Sequence, residues 1–373
     1  MAKRKNLFNV EKYSLPKYKI EEIKQKRAEE LGLINENQEK SEESKGNSKE
    51  QLSIDEICER INAELDELDS PMNLIESEGI GEISASKLTT YKGCPFAYFL
   101  GYVMHLKPLL MPASIKAGLA MHNVIADFNR GNLLTLEDLI NGREIIENGK
   151  KKKILGWKAR WYRQVYSKDI YFDNDDQPYI IFNSGNRLLE EFYHEEKNNS
   201  NEKLLVEHRF CLNINLNNKS YLFTGVFDLI EHDGKKGHII DYKTGSMLTK
   251  ITADLSIQFT IYNLAYNELQ KQGIIKTQGE PEIVLYYLPL FSKDSRIFKQ
   301  KTNRDAIDIQ YLVETIETVN KKIREKNFIP FIASSQFDHC KKCSWQLGNF
   351  CYDILNHRNK EIYSKLMKLK KRE

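Results

Sequence analysis

The stretch that decides the fold spans residues 225–245 and reads GVFDLIEHDGKKGHIIDYKTG. Two apolar runs flank a short polar turn that contains two glycines, which is the pattern of a β-hairpin. Asp228 and Asp241 lie at equal distances from the centre of that turn, so a symmetric hairpin places them opposite each other on one face. Lys243 follows Asp241 by two residues and shares this face through the two-residue period of a strand.

A third acid joins the face from the preceding strand. Asn217 and Asn218 centre the upstream turn, and the resulting register places Glu207 opposite Asp228. Like charges placed side by side destabilise a sheet, and acids within apolar strands are costly unless they are paired or bind a metal. Mg²⁺ prefers oxygen ligands, activates water and neutralises charge on a phosphoryl oxygen. The patch therefore predicts metal-dependent phosphodiester hydrolysis. The alternative is a pair of ordinary surface acids, which their apolar neighbours argue against.

Four cysteines have the spacing of a metal site. Cys340 and Cys343 form a C-x₂-C pair, Cys351 follows, and Cys94 lies far upstream. Close cysteine spacing in a chain without a secretory signal favours metal binding over disulfides. Spacing alone leaves zinc and an iron–sulfur cluster both open, and it favours zinc.

The hairpin motif resembles the core of RecB-type nucleases of the PD-(D/E)XK superfamily. Residues 84–100, SASKLTTYKGCPFAYFL, resemble the opening of AddB-type nuclease domains. The resemblance covers roughly residues 84–355, with the motifs in the family order. It implies an α/β fold with a central mixed β-sheet flanked by helices, a restriction-endonuclease-like core, a helical insertion and an iron–sulfur staple.

The resemblance also implies roles for individual residues. Mg²⁺ or Mn²⁺ would be held by His122, Asp228, Asp241 and the Tyr242 carbonyl. A lone helical histidine is more often structural, but His122 lies in the Gly-x-x-x-His pattern of these nucleases. The further catalytic candidates are Lys243 as the catalytic lysine, Gln258 and Tyr262 on the next helix, and Glu207, whose role is either catalytic or structural. A 4Fe-4S cluster of structural role would be bound by Cys94, Cys340, Cys343 and Cys351.

The organisation of the chain follows from composition. Residues 1–80 form an N-terminal appendage with a charged, disordered linker over 35–51 and one amphipathic helix. The nuclease domain spans 81–358 with a helical insertion over 131–200, and a basic tail occupies 359–373. No apolar run reaches the length of a membrane span, and no apolar segment follows the basic N terminus. We therefore expect a cytoplasmic protein that does not associate with a membrane.

Basic and aromatic residues interleave within the insertion. Lys150–Lys153 precede a segment that contains Trp157, Trp161 and Arg163. This pattern is typical of a groove for single-stranded DNA, where lysines bind phosphates and aromatic rings stack on bases. The alternative is an exposed helix with a half-buried aromatic face.

The sequence as a whole predicts a metal-dependent DNA nuclease, an exonuclease acting on single-stranded ends in DNA repair or recombination. A net charge of +3 decides little. No phosphate-binding G-x-x-x-x-G-K-[ST] motif occurs, so a helicase would have to act in trans. The alternative function is an iron–sulfur DNA-binding subunit with weak or no cleavage that works beside a helicase.

Overall fold

The computed structural model describes residues 56, 59–64, 81–108, 110–167, 169–173, 177–244, 251–291, 296–330, 340, 343–345, 351, 362 and 365. The linker predicted over 35–51 lies outside the described residues. So do the appendage and the basic tail, apart from the few positions given above.

A five-stranded mixed sheet forms the centre of the molecule, which confirms the predicted fold class. The strands lie in sequence order, and all neighbours are antiparallel except the parallel central pair β7–β8. Helices between β7 and β8 provide the crossover that a parallel pair needs. The strands are β5 Glu202–Leu216, β6 Lys219–His232, β7 Gly237–Thr244, β8 Glu282–Leu288 and β9 Phe298–Thr302.

Helices pack on both faces of this sheet. The helices are α1 Ala85–Gly93, α2 Pro95–Tyr98, α3 Ala113–Asn129, α4 Leu136–Asn141, α5 Trp157–Val165, α6 Gln177–Glu196, α7 Ile251–Asp254, α8 Ile257–Lys271 and α9 Ala306–Arg324. A π-helical turn, Phe99–Val103, follows α2. Ser84 caps α1 by accepting from the Lys87 N–H, and Asp305 begins α9 with a capping box.

Two hydrophobic cores result, one on each side of the sheet. The first joins α1, α8 and α9 to the sheet, and the second joins α3, α5 and α6 to it. Ile239 enters the first core and Ile240 the second, as the alternation of a strand requires. Ile61, from the predicted amphipathic helix, is fully buried in the first core, so this part of the appendage docks on the main body.

The predicted hairpin registers are confirmed. Leu216 pairs with Lys219 around a two-residue turn in which Asn217 and Asn218 both have positive φ, as this tight turn requires. The pairing of β6 with β7 stops at Leu229 and Ile240. In this register the next pair would be Asp228 and Asp241, as predicted.

One local expectation was wrong. The insertion over 131–200 is helical only in part, because it also contains an antiparallel hairpin, β2 Arg143–Glu147 and β3 Lys150–Ile154, and the short strand β4 Ile170–Tyr171, which pairs with β1 Met111–Pro112. After β7, the chain is helical in two pieces, α7 and α8, and the Arg304 guanidinium donates to the carbonyls of Ala253 and Ser256 at the break between them. Within the described residues, no helix combines the length and apolar character needed to cross a membrane.

Two apolar side chains are exposed although they lie on elements that contribute to the cores. Leu119 on α3 is 56% exposed, because the buried face of that helix lies on Ala117, Ala120 and Met121. Cys211 on β5 is exposed, because its neighbour Phe210 takes the inward position of the strand.

We predict that Gly185→Ala destabilises the fold. A Cβ at this position in α6 would lie 2.3 Å from the fully buried ring of Trp157, which stacks on Trp161 with centroids 5.8 Å apart. Overpacking of this kind costs about 1–3 kcal/mol, which exceeds the gain of about 0.5–1 kcal/mol from replacing a helical glycine by alanine. Thermal or denaturant unfolding measures the difference.

The matched control is Gly101→Ala, where the new Cβ would meet Trp345 at an ordinary distance of 3.5 Å. Equal unfolding midpoints for the two variants would contradict the predicted close approach at Gly185.

Candidate active site

The sheet forks at the two aspartates of the hairpin motif. On the N-terminal side of Leu229, β6 is paired with β5 but no longer with β7. On the C-terminal side of Ile240, β7 is paired with β8 as far as Thr244. Backbone groups released at the fork need new partners. The Tyr242 N–H donates to Asp228 Oδ2 at 2.8 Å, and the Val226 carbonyl accepts from the Tyr262 hydroxyl. Side-chain hydrogen bonds therefore replace the backbone hydrogen bonds that β6 and β7 no longer make with each other, and they stabilise the separation of the two strands.

Three side chains converge on one side of this fork. His122 comes from α3, Glu207 from β5 and Asp228 from β6, and their ligand atoms all lie within 4.8 Å of one another. His122 Nδ1 lies 3.6 Å from Asp228 Oδ2. An imidazole and two carboxylates form a donor set that suits a divalent cation.

Glu207 reaches this group through an unusual backbone conformation. Its φ is 50°, in the left-handed region that favours glycine, while Val206 and His208 on either side remain paired with β6. Such outliers persist where the surroundings impose them, and they are common at functional sites. The role of Glu207 stays a prediction, but its carboxylate lies with the predicted metal ligands.

The close approach of α3 brings His122 to the fork. A Cβ on Gly118 would lie 2.4 Å from Thr244 Oγ1, so the glycine of the Gly-x-x-x-His pattern allows helix and strand to touch. The His122 ring also stands edge-on to Tyr242, with centroids 6.4 Å apart.

Burial sets the protonation preferences of the group. It raises the pKa of Asp228 well above its usual range, and the neighbouring charge of Asp241 adds to this shift. Burial also raises the pKa of Glu207, although Arg130 and Arg209 partly offset it. Burial lowers the pKa of His122, which favours the neutral imidazole that binds metals. The group therefore has acids that need a cation and a histidine ready to ligate one.

Asp241 lies beside this group with its own partners. Its side chain is fully buried, and its Oδ1 accepts from Lys243 Nζ at 3.1 Å and from Gln258 Nε2 at 3.0 Å. Oδ2 lies 2.9 Å from Lys243 Nζ but has no hydrogen bond among the described residues. A buried carboxylate oxygen without a hydrogen bond is costly and is well suited to a cation. The predicted ligand roles of Asp241 and of the Tyr242 carbonyl stay predictions.

Lys243 is held as a charged group. Burial lowers its pKa, but Asp241 and Asp228 outweigh this effect, so its pKa lies above the usual value. Its side chain is 38% exposed, so the ammonium group reaches the surface next to the buried acids. The arrangement favours an electrostatic role for Lys243 over proton abstraction.

Gln258 and Tyr262 connect α8 to the fork. The Gln258 amide donates to Asp241 and, at 2.6 Å, to the Tyr262 hydroxyl, which itself donates to Val226. The Tyr262 ring packs on Phe227 with centroids 5.0 Å apart. Both side chains lie where the sequence predicted, and both support the position of Asp241.

An open cleft leads to this site. It has a volume of about 910 Å³ and lies between α1 and the start of α8. Its lining includes Asp228, Lys243 and Gln258 at one end and Thr89, Lys92 and Leu255 farther away. Its volume lies near the upper end of the range for small-molecule pockets, and it is open to solvent along its length.

The four predicted cluster cysteines are brought together. Cys94 ends α1, and Cys340, Cys343 and Cys351 come from the other end of the domain. Burial raises the pKa of Cys351 well above its usual range, and the thiols of Cys343, Cys94 and Cys340 all add to the shift.

The base-stacking prediction for the insertion was wrong for its tryptophans. Trp157 and Trp161 are fully buried in the second core, so neither ring can contact a base. Their four-residue spacing places both on the buried face of α5. Sequence reasoning missed Arg130 and Arg209, whose charges act on Glu207. Arg209 follows Glu207 by two residues on the same strand, whereas Arg130 comes near Glu207 only in the folded chain.

Comparisons with known proteins agree with this geometry. The solved structure of SSO0001 is 15% identical, covers 77% of this chain and 92% of its own chain, and superposes with a TM-score of 0.30, which is too low to carry an argument. No curated protein sequence matches the chain. The sequence profile of the PD-(D/E)XK nuclease superfamily matches residues 82–347, which include the forked hairpin, His122 and the cleft. The chain belongs to the PD-(D/E)XK nuclease superfamily.

Proposed function

We propose that the protein is a DNA nuclease that depends on Mg²⁺ or Mn²⁺. The observation that carries this proposal is the convergence of His122, Glu207 and Asp228 within 4.8 Å at the fork, beside the Asp241–Lys243 ion pair. Membership of a nuclease superfamily supplies the reaction class, and these residues supply the chemistry.

The donor set fits a divalent cation of this kind. Carboxylates are the ligands that Mg²⁺ and Mn²⁺ prefer, and the imidazole of His122 favours Mn²⁺, since Mg²⁺ prefers oxygen. The raised pKa values of the Asp228 and Glu207 carboxyls, both caused chiefly by burial, are the features of acids that a bound cation would stabilise. We infer that His122, Asp228 and Asp241 hold the cation, with Glu207 as a further ligand or support.

The remaining residues prepare the phosphodiester for attack. A cation bound at this site supplies polarisation of the phosphate and activation of water. Lys243 stays protonated and presents its charge at the cleft, where it stabilises the negative charge that develops on a non-bridging phosphate oxygen. Asp241 fixes the lysine, and Gln258 fixes Asp241 through a hydrogen bond to the same oxygen. Neutral His122 takes no part in proton transfer when it acts as a ligand.

The choice of DNA and of single-stranded ends rests on the resemblance to RecB-type and AddB-type nucleases. The open cleft supports a polymeric substrate. We assign the protein to DNA repair or recombination in the cytoplasm, with a helicase acting in trans, on the same resemblance.

We also propose a 4Fe-4S cluster at Cys94, Cys340, Cys343 and Cys351. The thiols of Cys343, Cys94 and Cys340 all act on the buried thiol of Cys351, so the four side chains are neighbours. Four thiolates suit either zinc or a four-iron cluster. The resemblance to AddB-type nucleases favours the cluster. The cluster would join α1, one wall of the cleft, to the C-terminal segment.

A binding subunit without cleavage is the second candidate function. It requires none of the paired buried acids, so the retention of Asp228, Asp241 and Lys243 in one forked site favours the enzyme.

Asp241→Asn is expected to lower cleavage of an end-labelled single-stranded oligonucleotide with Mn²⁺ by about 10²–10³-fold or more, the size of effect seen when a preorganised charged or polar group is removed from an active site. The control is Glu314→Gln, which changes the charge equally on the exposed face of α9. If the wild type and the Asp241 variant were equally inactive, while both bound DNA, the binding subunit would be the correct function.

Metal binding is expected to strengthen as pH rises. The carboxylate form of Asp228 binds the cation, and its raised pKa means that protons compete at higher pH than for an ordinary aspartate. Without metal, the folded state holds this proton more tightly than the unfolded state, so stability decreases as pH rises through the interval between the two pKa values. Calorimetric Mn²⁺ titration and thermal melts from pH 5 to about 9 measure both effects.

Asp228→Asn removes the titrating group and serves as the comparison. Its metal-free melting profile should depend less on pH than the wild-type profile. Identical pH dependences in the two proteins would show that Asp228 is ionised throughout.

Anaerobically prepared protein is expected to be brown and to contain about four irons and four sulfides per chain. Cys351→Ser should lose most of this iron, because the thiolate is a cluster ligand. Cys211→Ser, at an exposed cysteine outside the set, should retain it. Zinc in colourless wild-type protein would exclude the cluster.

A further inference from the structure

The β2–β3 hairpin concentrates the positive charge of the chain. Its twelve residues, 143–154, contain five basic and two acidic side chains, an excess equal to the net charge of +3 of the whole chain. Lys150, Lys151, Lys152 and Lys153 are all exposed. The buried Ile154 and the half-buried Ile145 face the second core, so the opposite face points to solvent.

Part of this charge is neutralised by ion pairs at the surface. Arg143 lies 3.6 Å from Asp138, which is outside the hairpin. Lys151 lies 3.7 Å from Glu144, and Lys152 lies 2.6 Å from Glu147, in pairs whose side chains are more than half exposed. Such surface pairs contribute little and yield readily to a stronger anion. Lys150 and Lys153 have no ion pair among the described residues. Ile146, on the same face as Lys151 and Lys153, is 77% exposed and adds an apolar contact.

Basic side chains connect the hairpin to the fork. Asp127 on α3 forms ion pairs with Arg130, at 3.8 Å, and with Arg160 on α5. The Arg160 Nε donates at 2.8 Å to the carbonyl of Leu155, the residue directly after β3. At the other end, the charge of Arg130 acts on Glu207 in the metal-ligand group. Arg163, one turn along α5, is exposed. Arg130 and Arg163 both act on the charge of Arg160, and Asp127 is the acid that pairs with Arg160, so the region is positive.

We propose that the solvent face of the β2–β3 hairpin, with Arg130 and Arg163, binds the phosphate backbone of the nucleic acid substrate away from the cleaved bond. A row of exposed lysines that is joined to a phosphodiester-cleaving site by arginines fits a polyanion whose phosphates repeat along its length. The hairpin binds backbone without reading bases, and it holds the strand that enters the cleft. The inference rests on the proposed function only for the identity of the polyanion.

The test is the salt dependence of DNA binding by the full chain, measured in EDTA so that no cleavage occurs. Fluorescence anisotropy compares the wild type with Lys151→Gln/Lys153→Gln on a single-stranded oligonucleotide and on a duplex. Each lost phosphate contact reduces the slope of log K against log salt by about 0.7 on a single strand and about 0.9 on a duplex. For the hairpin variant we expect weaker binding and a slope smaller by about 1.4 on the single strand or about 1.8 on the duplex. The DNA form, single-stranded or duplex, that shows the larger loss of affinity is the form that the hairpin binds.

The matched control is Lys235→Gln/Lys236→Gln, which removes two charges from another hairpin turn, at the end of β6–β7 far from the fork. Lys151→Arg/Lys153→Arg should restore wild-type binding, since it keeps the charge. Thermal melts verify that each variant is folded.

Equal affinities and slopes for the hairpin variant and the control would overturn the proposal. An acidic protein would then be the partner that the charge of the hairpin fits. Hydrolysis of bis(p-nitrophenyl) phosphate with Mn²⁺ tests the metal centre separately, because this small diester does not reach the hairpin. Its hydrolysis should be equal in the wild type and the hairpin variant. Binding that depends on the hairpin without any hydrolysis would contradict the proposed function and leave this inference intact.

Discussion

The separation of β6 from β7 is the constraint on which the site depends. A continuous antiparallel ladder would pair the backbone at Asp228 with that at Asp241, the next pair in the register, and would close the space between the two strands. Instead, the Asp228 carboxylate accepts from the Tyr242 N–H, and the Tyr262 hydroxyl donates to the Val226 carbonyl. These two bonds satisfy the released backbone groups and fix the acids at the same time. Asp228 and Tyr262, both predicted site residues, thus also stabilise the local fold.

The same arrangement places acids where their charge is unfavourable. Burial raises the pKa values of Asp228 and Glu207. Lys243 pairs with Asp241, and Arg130 and Arg209 partly offset the shift of Glu207. The divalent ion proposed above would relieve the remaining repulsion, so its binding would also stabilise the fold.

Sequence reasoning found the registers because tight turns fix them. Two tight turns, at residues 217–218 and before Gly237, determine which residues face each other. The sequence could therefore predict that Glu207, Asp228 and Asp241 lie near one another on neighbouring strands. The left-handed backbone of Glu207 could not be predicted, since no glycine marks it. The β2–β3 hairpin was missed because its lysine run shows no apolar alternation. The burial of Trp157 was misjudged because the interleaved pattern of an aromatic core face is also that of a base-stacking surface.

The cysteine set imposes an order on biosynthesis. Cys94 closes α1, whereas Cys351 follows it by more than 250 residues, so a ribosome must complete nearly the whole domain before the fourth thiol emerges. Every side chain of the forked site, up to Tyr262, emerges earlier. The residues that line the cleft, from Ser84 to Tyr262, are also translated before the last of these cysteines. Assembly of the proposed cluster is therefore a late event for each molecule, separated in time from translation of the candidate site.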